Sequence, residues 1–186
     1  MLLRSCLKSK TWNLIGSRKS QPKVLKRFSM DRTHVKTPLG IMEIGGTAKG
    51  IRSVSFTKLS EIEIEDTPET LQGCKNQLLS YFDGTLKEFS LSLDPEGTSF
   101  QKRVWAQLQN LGYGKTCSYS EQARALGDLK AIRAVAGANA KNPVAIIIPC
   151  HRVVGADGKL TGYAGGLWRK KWLLEHENPP AQRSLF

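Results

Sequence analysis

A cluster of turn formers, Asp94-Pro95-Glu96-Gly97, cuts this chain into two stretches with different hydrophobic periods. Upstream, residues 40–44 and 51–56 alternate and carry β-branched side chains, which predicts two strands with Gly45-Gly46 as the turn between them. Pro68 opens a helix whose apolar positions are Leu71, Leu78, Leu79 and Phe82, and Gly84 closes it. Phe89, Leu91 and Leu93 alternate and predict one more strand. This unit contains no chemical motif and reads as support. Downstream the period becomes helical: Phe100, Val104, Leu108 and Leu111 share one face of a helix ending at Gly112. Ser118-Tyr119-Ser120-Glu121 is a capping box, in which the serine hydroxyl and the glutamate side chain satisfy each other's backbone N–H. A short helix should follow and stop at Gly127, and Asp128 should cap a second over residues 129–140. Two short helices around a glycine turn resemble a helix-turn-helix. The expected organisation is a basic tail over 1–32, an α/β unit over 33–95, a helical unit over 98–180 and a short tail over 181–186.

Charge separates these regions further. Residues 1–30 carry eight basic and no acidic side chains, 31–97 carry seven and eleven, and 98–186 carry thirteen and five, for a net +12. Two basic regions around an acidic middle suit a polyanion, most commonly nucleic acid; a solvated basic surface is the plainer alternative. No stretch approaches the ~18 apolar residues a membrane helix needs, so no membrane association is expected. The four Cys and three His show neither C-x-x-C nor H-x-x-x-H spacing. A disulfide framework or zinc ribbon is therefore not expected, and a reducing compartment is. In the tail, Arg4, Arg18 and Arg27 among serines suit a mitochondrial transit segment, while Lys23, Lys26 and Arg27 suit a nucleic-acid arm or nuclear signal. Translation from Met30 would bypass it. The nucleus is the expected compartment, with the mitochondrion as the alternative.

The second helix of the helix-turn-helix is built from Ala131, Ala134, Ala136, Gly137, Ala138 and Ala140, leaving Arg133 as the long cation in its middle. Such a helix either packs tightly in a core with one solvated arginine, or is slim enough to enter a DNA groove with Arg133 as its probe.

The apolar run Ala145-Ile146-Ile147-Ile148 predicts a buried strand or extended segment, and it ends abruptly in Pro149-Cys150-His151-Arg152. Cys74 and Cys117 read as small buried hydrophobes. Cys150 differs, because a neighbouring His and Arg can stabilise its thiolate. A thiolate is a good nucleophile for sp3 carbon, but near neutral pH it needs a base, and the base needs an orienting group. His151 is the candidate base, directly or through a water. Glu175, Glu177 and Asp157 are candidates to orient it, and spacing does not choose among them.

Pro149-Cys150-His151-Arg152-Val153 resembles the active-site signature of the O6-alkylguanine-DNA alkyltransferases, the methylated-DNA–protein-cysteine methyltransferases. Ser118-Tyr119, Arg133-Ala134-Val135, Asn142-Pro143, Gly162-Tyr163-Ala164-Gly165-Gly166 and Leu173-Leu174-Glu175-His176-Glu177 follow the family's order and approximate spacing. Thr37-Pro38-Leu39-Gly40 resembles its start. The resemblance implies an N-terminal ribonuclease-H-like α/β domain and a C-terminal helical domain with a winged helix-turn-helix. It implies DNA repair by single-turnover transfer of the alkyl group from O6-alkylguanine, and from O4-alkylthymine, to Cys150 after base flipping. Cys150 would be the acceptor, His151 the water-mediated base, Glu177 its orienting group, and Tyr119 the donor to the departing guanine. Asn142 would brace the active-site backbone, Arg133 would fill the vacated stack, and Val153, Tyr163 and Ala164 would line the base pocket with Asn142. Lys102, Arg103, Lys115, Arg124, Lys130 and Lys141 would touch phosphates without reading sequence. The implied partner is double-stranded DNA carrying O6-alkylguanine, bound by a monomer without cofactor. Thr47 follows Gly45-Gly46 where some members have a zinc-binding Cys, so no metal is expected. Ala145, Thr161 and Ala164 replace other residues found in the family and bear on pocket width. A cysteine hydrolase and a non-catalytic DNA-binding module are the competing readings.

Overall fold

The computed structural model describes residues 30–61 and 66–178. The expectations for residues 1–29 and 181–186 lie outside the described residues. Three antiparallel strands, β1 (Asp31–Thr37), β2 (Gly40–Thr47) and β3 (Gly50–Phe56), form a sheet in chain order. Val35 stands opposite Met42, and Ile44 opposite Val54; all four are buried. Helix α1 (Glu69–Phe82) covers this apolar sheet with Leu71, Cys74, Leu78, Tyr81 and Phe82. Gly45-Gly46 is not the expected turn but a bulge inside β2, and the chain reverses at Ala48-Lys49. The glycine is needed for approach rather than reversal: a Cβ on Gly46 would meet the Leu71 side chain of α1 at 3.0 Å. The expected strand at residues 89–93 reduces to one bridge, between Leu93 and Ile51. Its alternation reflects packing against the core rather than membership of the sheet.

Beyond the turn cluster, a capping box of Thr98 and Gln101 starts α2 (Ser99–Gln109), which ends short of Gly112. The Ser118–Glu121 box starts α3 (Tyr119–Ala125) directly from a two-residue strand, β4 (Cys117–Ser118). Asp128 accepts from the Lys130 N–H, but it caps a 3-10 turn at Leu129–Ala131; the helix α4 itself is Ile132–Ala140. Trp105 Nε1 donates to the Ala138 carbonyl at 2.9 Å, which fastens α4 to α2. Strand β5 (Val153–Val154) pairs in parallel with β4, and α5 (Leu167–Glu177) closes the described fold.

The two units are tied at the chemistry. Val54 of β3 donates to the Pro143 carbonyl and accepts from Ala145 N, both at 2.8 Å. The sheet thus positions the loop that leads to Cys150.

Candidate active site

The run Ala145-Ile146-Ile147-Ile148 is a tight turn, not the expected extended segment. Ile148 N donates to the Val144 carbonyl at 3.0 Å, and Ile147 N to the Ala145 carbonyl at 2.9 Å. Ile146 sits at φ 72°, an uncommon and costly conformation for a β-branched residue. Burial of all three isoleucines, with the Ile147 and Ile148 N–H groups paired inside the turn, holds it there. Pro149 follows with a second tight turn, in which Cys150 N donates to the Ile148 carbonyl at 2.8 Å. Asn142 braces the whole reversal. Its Oδ1 accepts from Val144 N at 3.0 Å, and its Nδ2 donates to the Ile148 carbonyl at 2.8 Å and lies 3.2 Å from Cys150 Sγ.

Behind Cys150 lies a buried charged cluster centred on Glu177. Its carboxylate accepts from His151 Nε2 at 2.9 Å, Tyr81 Oη at 2.8 Å, Arg152 Nε at 2.8 Å, Arg152 Nη2 at 2.9 Å and Gly114 N at 3.1 Å. Gly114 has φ 68° there, and a Cβ would stand 3.0 Å from the Glu177 carbonyl, so glycine suits the position. Burial alone would raise the Glu177 carboxyl, but the hydrogen bonds and charges of His151 and Arg152 overcome it and hold it well below the usual range. Geometry therefore selects Glu177: Glu175 is exposed and pairs with Lys171, and Asp157 pairs with Lys159. With the carboxylate ionised, His151 carries its proton on Nε2, which leaves the Nδ1 lone pair free. That Nδ1 is buried and has no partner among the described residues. Burial lowers the His151 pKa, so the ring is a neutral acceptor at physiological pH.

Arg152 is not the cation beside the thiol that its place in the sequence suggests. Its guanidinium turns away to Glu177 and to the Leu111 carbonyl. The cation that lowers the Cys150 pKa is Lys170 of α5. Lys170 is fully buried, with Nζ donating to the carbonyls of Val153 at 2.5 Å, Thr161 at 2.6 Å and Gly162 at 3.1 Å. Burial brings its pKa down to about 8, against the opposing pull of Cys150. Burial also pushes the Cys150 thiol up, while the Asn142 hydrogen bond and Lys170 oppose that rise. Burial likewise pushes the Cys74 and Cys117 thiols up, to about 12 and about 11, and no neighbour among the described residues opposes the rise.

In front of Cys150 is a cavity lined by Tyr119, Ala136, Asn139, Ala140, Gly162, Tyr163 and Ala164. Tyr119 Oη donates toward the carbonyls of Thr161 at 3.2 Å and Gly162 at 3.4 Å. Val153 is buried in β5 and does not line this cavity, and Asn142 reaches it only through its contact with Sγ. Arg133, Lys130, Arg124, Lys141 and Lys102 are all exposed, on α2, α3, α4 and the turns around α4. Arg133 forms no ion pair among the described residues. His34 lies 3.7 Å from Glu43 on the sheet surface. Sequence reasoning missed Tyr81, Asn139 and Lys170. The N-terminal unit, read as support alone, supplies Tyr81 to the Glu177 cluster. The spacing of Lys170 from Leu173 and Glu177, three and seven residues along α5 on one buried face, was the available sign for it.

Comparison with known proteins places the whole described chain in one family. Residues 99–179 match the family model described as "6-O-methylguanine DNA methyltransferase, DNA binding domain", and residues 30–95 match its "ribonuclease-like domain". A methylated-DNA–protein-cysteine methyltransferase of Methanosarcina acetivorans is 47% identical over 147 residues, covering 76% of this chain and 94% of its own. One from Mycolicibacterium paratuberculosis is 45% identical over 158 residues, covering 82% and 96%. The crystal structure of Mycobacterium tuberculosis OGT in complex with DNA superposes with a TM-score of 0.70 at 44% identity, covering 77% of this chain and 90% of that one.

Proposed function

The chain belongs to the 6-O-methylguanine DNA methyltransferase family, and we propose that it repairs O6-alkylguanine in double-stranded DNA by moving the alkyl group to the sulfur of its own Cys150. The observation that carries the reading is Cys150 Sγ at a cavity mouth, held by Asn142, with the His151–Glu177 pair directly behind it. The thiol proton passes through a water to His151 Nδ1, and Glu177 steadies the imidazolium that forms. Sγ attacks the alkyl carbon; the S–C bond forms as the C–O6 bond breaks. Guanine leaves as an anion, and the proton taken from the thiol ends on its ring, with Tyr119 as the donor nearest the leaving group. A thioether is a poor leaving group, so each protein molecule acts once. O4-alkylthymine presents the same carbon–oxygen bond and is a second substrate.

The alkyl group of a stacked base cannot be reached in line by a buried sulfur, so the nucleotide must leave the helix, at a cost of a few kcal/mol. Arg133, exposed on the small-residue helix α4, fills the gap left behind. Lys102, Arg124, Lys130 and Lys141 hold phosphates, which suits a protein that must find lesions in any sequence.

Intact-mass measurement after incubation with duplex containing O6-methylguanine tests the reading. One methyl per chain, on the Cys150 peptide, is expected; Cys150→Ser should take up none and still bind DNA. Bare Cys150 with the lesion persisting would overturn it. Repeated turnover would point to a hydrolase instead, and binding without an adduct to a non-catalytic module.

A further inference from the structure

One loop, residues 161–166, supplies part of the cavity wall facing Cys150, and two consecutive side chains of α5 hold it from opposite ends. Lys170 Nζ binds the carbonyls of Thr161 and Gly162 at the start of the loop. Arg169 holds the other end: its Nη1 donates to the Gly165 carbonyl at 2.8 Å. The same guanidinium reaches the N-terminal unit, with Nε donating to the Leu39 carbonyl at 2.9 Å. It also lies over two rings, 4.5 Å from the centroid of Phe56 on β3 and 4.4 Å from that of Trp168. Two carbonyls and two rings together suit a flat cation with several fixed donors, which is arginine and not lysine. The loop packs hard against the sheet on this side. A Cβ on Gly165 would stand 2.7 Å from the Tyr163 ring and 3.0 Å from that of Phe56. Tyr163 and Ala164, which line the cavity together with Cys150, are therefore held between a lysine anchor and an arginine anchor.

Resting on the alkyl-transfer reading above, we infer that Arg169 is a positioning residue that limits the size of the alkyl group accepted, by clamping the Tyr163–Ala164 wall to the N-terminal sheet. A sulfur attacking sp3 carbon approaches opposite the C–O6 bond. Whatever that carbon carries besides hydrogen then projects sideways, toward the cavity walls. A methyl group needs no extra room there. An ethyl or benzyl group needs a wall that yields, and a packed wall resists each added methylene. The opposite wall comes from α4, through Ala136, Asn139 and Ala140, and Trp105 fastens that helix to α2. The loop is the wall whose place depends on side-chain anchors, so it is the one that can give. Removing the Arg169 side chain frees it from Leu39 and Phe56 at once.

Single-turnover transfer rates on duplexes containing O6-methylguanine, O6-ethylguanine and O6-benzylguanine test the inference. In Arg169→Ala both larger groups should gain on methyl, with the benzyl-to-methyl ratio rising roughly fivefold or more over native. Arg169→Lys keeps the charge but loses the fork and the plane, and should raise the ratios in the same direction. Trp168 is 57% exposed, so Trp168→Ala leaves the core filled; with one ring contact gone, the benzyl ratio should rise about twofold. Lys171→Ala removes the next, exposed cation of α5 and should leave every ratio at its native value. An equal rise in Lys171→Ala would assign the effect to charge alone and overturn the inference. Ratios that stay level or fall in Arg169→Ala also overturn it. Should that variant not fold, level ratios in Arg169→Lys and Trp168→Ala do so. A native protein that leaves Cys150 bare with all three duplexes would instead sink the transfer reading.

Discussion

The two sides of Cys150 treat buried polarity in opposite ways. Behind it, Glu177 is saturated: five hydrogen bonds from Tyr81, His151, Arg152 and Gly114 converge on one carboxylate. In front of it, Asn139 Oδ1 and Tyr163 Oη are buried with no partner among the described residues, and His151 Nδ1 stands likewise unpartnered at the boundary. A saturated cluster fixes geometry, because any movement breaks several charge-assisted bonds at once. An unsaturated cavity stores a demand that only an incoming molecule meets. The difference separates what positions the sulfur from what recognises the base.

Breaking the saturated side should have the largest effect. Glu177→Leu strands the Arg152 guanidinium, Tyr81 Oη and Gly114 N together, and uncompensated buried charge costs about 3–5 kcal/mol. Transfer should slow by ~10²-fold or more as His151 loses its orienting partner. Denaturant midpoints and single-turnover rates measure both; a stable, fast Glu177→Leu would dissolve the distinction. The native cluster also predicts acid sensitivity. His151 has a lowered pKa in the fold, so its stabilising contribution is full above the unfolded value of about 6.5 and is lost as pH falls below it. Glu177, also lowered, adds a second loss as pH falls below its unfolded value of about 4.3. Urea midpoints followed from pH 8 to pH 3 should therefore drop in two stages, and His151→Asn should remove the first.

Lys170 belongs to the saturated class by its three carbonyl partners, yet its charge acts on the thiol. Lys170→Met should slow transfer roughly tenfold at pH 7, since the thiolate fraction falls tenfold for each unit its pKa rises. Above about pH 8 the native Lys170 loses its own charge, so the gap between native and variant should narrow there. A gap constant with pH would mean that the residue only packs.

Arg133 sharpens the contrast from the exposed side. It has no ion pair among the described residues, so Arg133→Ala should leave stability within about 0.5 kcal/mol of native. Repair of duplex should nevertheless slow by about tenfold, while reaction with a free O6-alkylguanine base is unchanged, because only the duplex needs its vacated stack filled. Equal losses on both substrates would remove Arg133 from base extrusion.

What the sequence made legible follows the reach of the interactions. Local patterns were readable: the Ser118–Glu121 box spans three residues, the Asp128 cap two, and Cys150 sits in a contiguous signature. Partners chosen by packing were not. Tyr81 meets Glu177 across 96 positions, and Gln122 accepts from Asn139 across 17, with no spacing rule to announce either. Arg152 was readable as a cation but not in its direction, because Glu177 and the Leu111 carbonyl lie on the far side of the turn. The isoleucine run failed for another reason: its composition favours a strand, and only the Asn142 brace and the bridge to Val54 bend it back.

Ser118 offers the smallest and most local test of the same division. Its hydroxyl accepts from Glu121 N at 3.1 Å, and its own N–H donates to Glu121 Oε2 at 2.7 Å, so the start of α3 is closed before Tyr119 enters the cavity wall. Ser118→Ala removes the hydroxyl and leaves the backbone donor of Glu121 without its cap, which should cost about 1 kcal/mol of stability. Tyr119 is held as well by the carbonyls of Thr161 and Gly162, so its ring should stay in place and transfer should slow less than about threefold. A stability loss with transfer preserved would mean that the cap serves the fold and the loop serves the pocket. A large loss of transfer at unchanged stability would move Ser118 to the recognising side and redraw the boundary at α3.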